Sequence, residues 1–162
     1  MPPTPGARAE ELAQLARHNV RQVDGVWIIE VDDLDGRNVK TVDSVKQVPL
    51  HPAIRDAFVA WVQASTKPRV FASLRMDKHG RFVQHVSNQF ARLMDRAGLS
   101  DPRLTLHSLR HTLKREMSNA RLDPDVRRII LGHAPKDAHD RYAGPSLAAV
   151  AEELARLPPL FD

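Results

Sequence analysis

Residues 104–112 read Leu-Thr-Leu-His-Ser-Leu-Arg-His-Thr. On a helix His107 and Arg110, three apart, share a face, so both can address one bound group. Placed in the first turn or two, they are joined there by backbone N–H donors that have no intrahelical partner. An imidazole and a guanidinium beside a helix N-terminus make a phosphate site; the plainer alternative is a solvated helix with scattered basic residues. A metal is a weaker reading. His107 and His111 have the spacing of a helical zinc pair, but Ser108, Leu109 and Arg110 between them supply no glutamate base and include a guanidinium that repels a cation. No metal or other cofactor is therefore expected. Further along come Leu131-Gly132-His133 and then Tyr142, the one tyrosine in the chain. A lone tyrosine is commonly a half-buried packing residue, yet a phenol oxygen is also a suitable nucleophile and leaving group in phosphoryl transfer.

The charge distribution singles out the same stretch. The formal net charge is +4 over 162 residues. Between Arg103 and Tyr142 there are nine Lys/Arg against five Asp/Glu, an excess equal to that whole charge, together with four of the eight histidines. A local basic excess points to a polyanionic partner more than the net figure does. The chain has no cysteine, which excludes disulfides, thiolate metal sites and a cysteine nucleophile. No apolar run is long enough to span a membrane, and Met1-Pro2-Pro3-Thr4-Pro5 lacks the apolar core of a signal peptide. A cytoplasmic location and no membrane partner are expected.

These residues need a scaffold. Helix formers from Ala9 to Arg17 predict a helix just after the prolines, with Glu10 and Glu11 in its first turn. Val26–Val31 reads as a buried strand and Val45–Leu50 as another, at a sheet edge because Pro49 cannot donate to a ladder. Pro52 opens a helix whose buried face is predicted to hold Ile54, Phe58, Trp61 and Val62. Residues 65–81 read as a loop or irregular hairpin. Phe82, Val86, Phe90, Leu93, Met94 and Ala97 mark an amphipathic helix ending at Gly98. Leu106, Leu109, Leu113 and Met117 mark the next, Asp123-Pro124 opens another, and Leu147, Val150, Leu154 and Leu157 form the last stripe. The fold class predicted is α+β: mainly helices around a small antiparallel sheet near the N-terminus, in a single domain over residues 1–162.

Taken together, His107-x-x-Arg110, Leu131-Gly132-His133 and Tyr142 resemble the C-terminal signature of the tyrosine recombinase, or phage integrase, family. Gly6-Ala7-Arg8-Ala9-Glu10-Glu11-Leu12 resembles the family's first arginine motif, with an acid three residues after the arginine. Val39-Lys40-Thr41, ahead of Val48-Pro49-Leu50-His51-Pro52, resembles its β-hairpin lysine followed by a strand and a helix start. The motifs occur in the family's order over nearly the whole chain.

The resemblance implies a site-specific recombinase acting on double-stranded DNA, as a homo-oligomer, through a 3′-phosphotyrosyl intermediate in DNA integration. Tyr142 would be the nucleophile. Arg8 and Arg110 would grip the phosphate oxygens, and Lys40 would protonate the departing 5′ oxygen, with Lys46 or Lys78 as alternatives. His107 would assist proton transfer at the tyrosine or hold a phosphate oxygen, His133 would donate to the phosphate, and Glu11 would orient His107 or Arg8 without reacting. A type IB topoisomerase shares this chemistry. The prolines at the start replace the apolar helix that leads into the family's arginine motif, and the chain is expected to be a catalytic domain without the family's N-terminal core-binding domain. The alternative is a DNA-binding or regulatory module that keeps the residues without turnover. The stripe after Tyr142 packs either in its own core or on a neighbouring protomer.

Overall fold

The computed structural model describes residues 7–31, 46–99, 101–131 and 144–159. Among the described residues helices dominate, with a three-stranded antiparallel sheet, so the fold is α+β as expected. The chain divides into two compact units, residues 1–16 with 67–115 and residues 17–66 with 116–162, each taken by itself below. Among the described residues no helix is long and apolar enough to cross a membrane.

The first unit begins with α1 (Ala7–Ala13). The helix is shorter than its helix-forming sequence predicts, because Leu15 and Ala16 leave it to pair elsewhere. The Val70 N–H donates to the Leu15 carbonyl at 2.8 Å, and Ala16 bridges Arg69. This exit buries Leu15, and Ala13 of α1 is buried as well. Residues 67–82 are irregular, as expected. The Asp77 carboxylate accepts the N–H groups of His79 and Arg81, which with Gly80 in the left-handed region (φ 73°) shapes a tight turn. Phe82 is almost fully buried beneath the Arg69 guanidinium, 4.8 Å from the ring centre.

Helix α3 (Val83–Arg96) ends at Gly98, which sits at φ 73° with its N–H on the Asp95 carbonyl, while Leu99 N–H closes on Met94 O at 2.9 Å. Its apolar stripe does not become core: no residue of α3 is buried, and Leu93 is 56% exposed. The anchor is Phe82, one residue before the helix. Helix α4 (Leu106–Asn119) follows.

In the second unit, the three-residue helical turn Arg17–Asn19 leads into β1 (Val20–Val23). Sequence reading missed β1, whose four residues alternate poorly; the signal was the Asp24-Gly25 pair that joins it to β2 (Val26–Val31). Both turn residues have positive φ, 48° and 80°, which matches the twist of a two-residue hairpin. Strand β3 (Lys46–Pro49) pairs with β2, so the order is β1-β2-β3 and Pro49 lies on an edge strand. Glu30 on β2 ties the three strands together, accepting from Arg21 at 2.6 Å and Gln47 at 2.8 Å. The Arg21 bond, then that from Gln47, holds the Glu30 carboxyl below the ordinary glutamate range. A carboxylate so held contributes stability at neutral pH that is lost as the pH falls through its lowered pKa. Urea melts of wild type and Glu30→Gln are accordingly expected to differ at pH 7 and to converge in acid.

Pro52 stands at the first position of α2 (Pro52–Ala64), and His51 caps it by accepting the Ala53 N–H on Nδ1. The ring proton therefore sits on Nε2, which donates to the Leu157 carbonyl at 3.1 Å. The buried face of α2 is Val59 and Val62; Ile54 and Trp61, expected inside, are half exposed, with Trp61 leaning on Phe58 at 5.9 Å.

Met117 and Leu122 are buried on either side of a left-handed turn in which Arg121 has φ 52°. Arg121 N–H bonds Ser118 O and Leu122 N–H bonds Met117 O, the helix-ending pattern that favours glycine at its left-handed position. Arg121→Gly is expected to stabilise the protein by about 1 kcal/mol, read as a raised urea midpoint. Asp123 then caps α5 (Pro124–Ile130) by accepting from Asp125 N and Val126 N. Helix α6 (Leu147–Ala155) packs on α5, β2 and β3 with Val150, Leu154 and Leu157 buried. The final stripe thus lies in the core of its own unit, and Arg156 Nη2 holds the Ala120 carbonyl at 3.0 Å.

Candidate functional site

The start of α4 is built by a reciprocal pair. Thr105 N–H donates to Ser108 Oγ at 3.0 Å, and Ser108 N–H donates back to Thr105 Oγ1 at 3.4 Å. This capping arrangement fixes where the helix begins, and so places His107 second in the helix and Arg110 one turn on. His107 is exposed and Arg110 is half-buried. The rings of His107 and His111 meet edge to face with centroids 4.5 Å apart. Among the described residues, no group of three or more His, Cys, Asp or Glu side chains could hold a metal ion.

Burial lowers the pKa of the Arg110 guanidinium, and the negative charge of Glu11 on α1 partly offsets that effect. An arginine stays charged well beyond neutral pH, so this one is a permanent cation partly stripped of water. In that state its bonds to an incoming anion are stronger than at an open surface. Its planar fork matches two phosphate oxygens at once. An imidazole one turn nearer the helix start can donate to a third oxygen or move a proton. Together they can grip and polarise a phosphate group.

The structure sets His107 one turn from Arg110 and brings Glu11 within electrostatic range of Arg110. Glu11, expected to orient His107 or Arg8, acts through its charge on Arg110. Arg8 lies on α1, three residues before Glu11. Lys40, His133 and Tyr142 lie outside the described residues. Of the alternative lysines, Lys46 is half-buried at the start of β3 and Lys78 is exposed in the turn shaped by Asp77.

Sequence reading missed Glu10. Its carboxylate accepts the N–H groups of Phe82, at 2.7 and 3.0 Å, and of Val83, at 2.8 Å. No local signal could reveal a bond between residues 72 positions apart. The Thr105–Ser108 pair was not read either, because a serine stands where the usual capping signature has Glu or Gln.

The family model described as the phage integrase family matches residues 4–147. No curated protein and no solved structure matches the chain.

Proposed function

The chain belongs to the phage integrase family, and from that premise we propose that it cuts and rejoins strands of double-stranded DNA through a covalent 3′-phosphotyrosyl intermediate on Tyr142. Membership carries the general role, DNA recombination and integration. The observation that supports the finer reading is the half-buried Arg110, within electrostatic range of Glu11, with His107 in the first turn of the same helix.

In the proposed reaction the Tyr142 phenol oxygen attacks the scissile phosphorus, a new P–O bond forms, and the bond from phosphorus to the 5′ oxygen breaks. His107 assists removal of the phenol proton or holds a phosphate oxygen. Lys40 delivers a proton to the departing 5′ oxygen. Arg8, Arg110 and His133 stabilise the charge that grows on the non-bridging oxygens, and Glu11 keeps Arg110 in place. The phosphotyrosyl bond preserves the energy of the phosphodiester, so a 5′-hydroxyl attacking it reverses the steps and reseals the strand. Residues 1–162 act as one catalytic domain in this reading, in a homo-oligomer on DNA in the cytoplasm.

The test is a nicked duplex whose cleavage releases a short fragment and so prevents religation. Wild-type protein is expected to accumulate a covalent protein–DNA adduct that survives denaturation. Salt-sensitive DNA binding with no adduct would overturn the strand-transfer reading in favour of a binding or regulatory role. Relaxation of supercoiled plasmid without site preference would redirect it to a topoisomerase.

A further inference from the structure

Helix α3 has no cap of its own. Its capping position is Phe82, an apolar residue with helical backbone angles (φ −89°, ψ −20°) and no side-chain acceptor. The first N–H groups of a helix need partners, and here Glu10 of α1 supplies them through three contacts of 2.7 to 3.0 Å to Phe82 and Val83. The Gln14 amide holds the same carboxylate at 3.0 Å. A negative charge at this end of α3 is also favoured by the helix dipole.

Over its described residues α1 runs Ala7–Ala13, and Leu12 on it is 44% exposed. A helix in a folded protein takes most of its stability from tertiary contacts rather than from its own propensity. Its position depends on ties to the rest of the unit, and Glu10 makes a polar one with good geometry. The neighbours of Glu10 on α1 are the residues with proposed chemistry: Arg8 two before it, and Glu11 immediately after it, whose charge acts on Arg110.

Resting on the strand-transfer reading, we infer that Glu10 is a positioning residue: by capping α3 it fixes α1, and with it Arg8 and Glu11, with respect to Arg110. It touches no substrate and transfers no proton. A displacement of about 1 Å in a phosphate-gripping group is enough to lower a rate by about a hundredfold.

The experiment compares Glu10→Ala, Glu10→Gln and Gly98→Ala with wild type. Gly98 closes the other end of α3 at φ 73°, and a Cβ there meets nothing within 4 Å, so this control strains the helix end without moving α1. Adduct formation on the nicked duplex is followed at saturating DNA, with DNA affinity and thermal stability measured in parallel. Glu10→Ala is expected to slow adduct formation by about tenfold to a hundredfold at unchanged affinity. Glu10→Gln, whose amide oxygen can still accept one N–H, recovers part of the rate. Gly98→Ala loses stability and keeps its rate. A wild-type rate in Glu10→Ala, or an equal loss in Gly98→Ala, would overturn the inference.

If wild type itself forms no adduct, the strand-transfer reading fails and the positioning role is read by NMR. Glu10→Ala is then expected to speed amide exchange at Phe82 and Val83 and to shift the Arg110 guanidinium Nε–H resonance. Faster exchange with an unmoved Arg110 signal would show a cap and nothing more.

Discussion

Tyr142→Phe is expected to form no covalent adduct on the nicked duplex, a loss on the order of 10⁴-fold or more against wild type. The substitution removes one oxygen, the proposed nucleophile, and keeps the ring. Packing, charge and the basic surroundings of residues 103–142 are unchanged, so DNA affinity and its salt dependence are expected to stay at wild-type levels. That separation of binding from chemistry gives the variant its force. Adduct remaining in Tyr142→Phe would assign the nucleophile to another side chain, which with no cysteine in the chain would be a serine, threonine, histidine, lysine or carboxylate.

The second large effect falls on Arg110. Arg110→Ala removes a preorganised cationic donor from the point where charge develops on the phosphate, which typically lowers a rate by about 10²- to 10³-fold. It also removes a positive charge within range of Glu11, so the Ala variant overstates what the guanidinium contributes by itself. Arg110→Lys is the sharper probe. A lysine keeps the charge but not the planar fork, and it is expected to restore only a minor part of the rate.

The lysine variant also carries a pH signature. The burial that lowers the arginine's pKa would lower that of a lysine in its place, from an ordinary value of about 10.4. Only the charged ammonium can hold a phosphate, so the rate of Arg110→Lys is expected to fall as the pH rises into the alkaline range. The arginine enzyme has no such loss from this group, because arginine stays protonated throughout. Adduct rates measured from pH 7 to pH 9.5 check the contrast. Parallel profiles for the two proteins would show that residue 110 does not meet the reacting phosphate as a cation.

Much of the scaffold was legible because the relevant signals are local. Asp123-Pro124 announced α5 and Gly98 ended α3, each through bonds that span at most a few residues. Pro49 placed β3 at an edge because a missing N–H is a property of the residue alone. The same locality put His107 and Arg110 on one helix start. What misled was the step from periodicity to burial. The apolar stripes of α2 and α3 are real, but a stripe does not say which of its residues meet a neighbour. Val59 and Val62 are buried while Ile54, Trp61 and Leu93 are not. His51, given no role by its sequence surroundings, joins the start of α2 to the carbonyl of Leu157, far along the chain.

The sequence by itself determined the helical character of the protein, the edge place of β3, the start of α5 and the end of α3, the family to which it belongs, and the residue types available for phosphate chemistry. These follow from backbone preferences and from motif order, neither of which needs distant parts of the chain to meet. Only the tertiary structure decided that Arg110 is partly dry and feels the charge of Glu11, that α6 packs within its own unit, and that α3 takes its cap from Glu10. Each of these depends on residues tens of positions apart arriving at one place. Desolvation and charge pairing act through space, and no spacing along the chain encodes them.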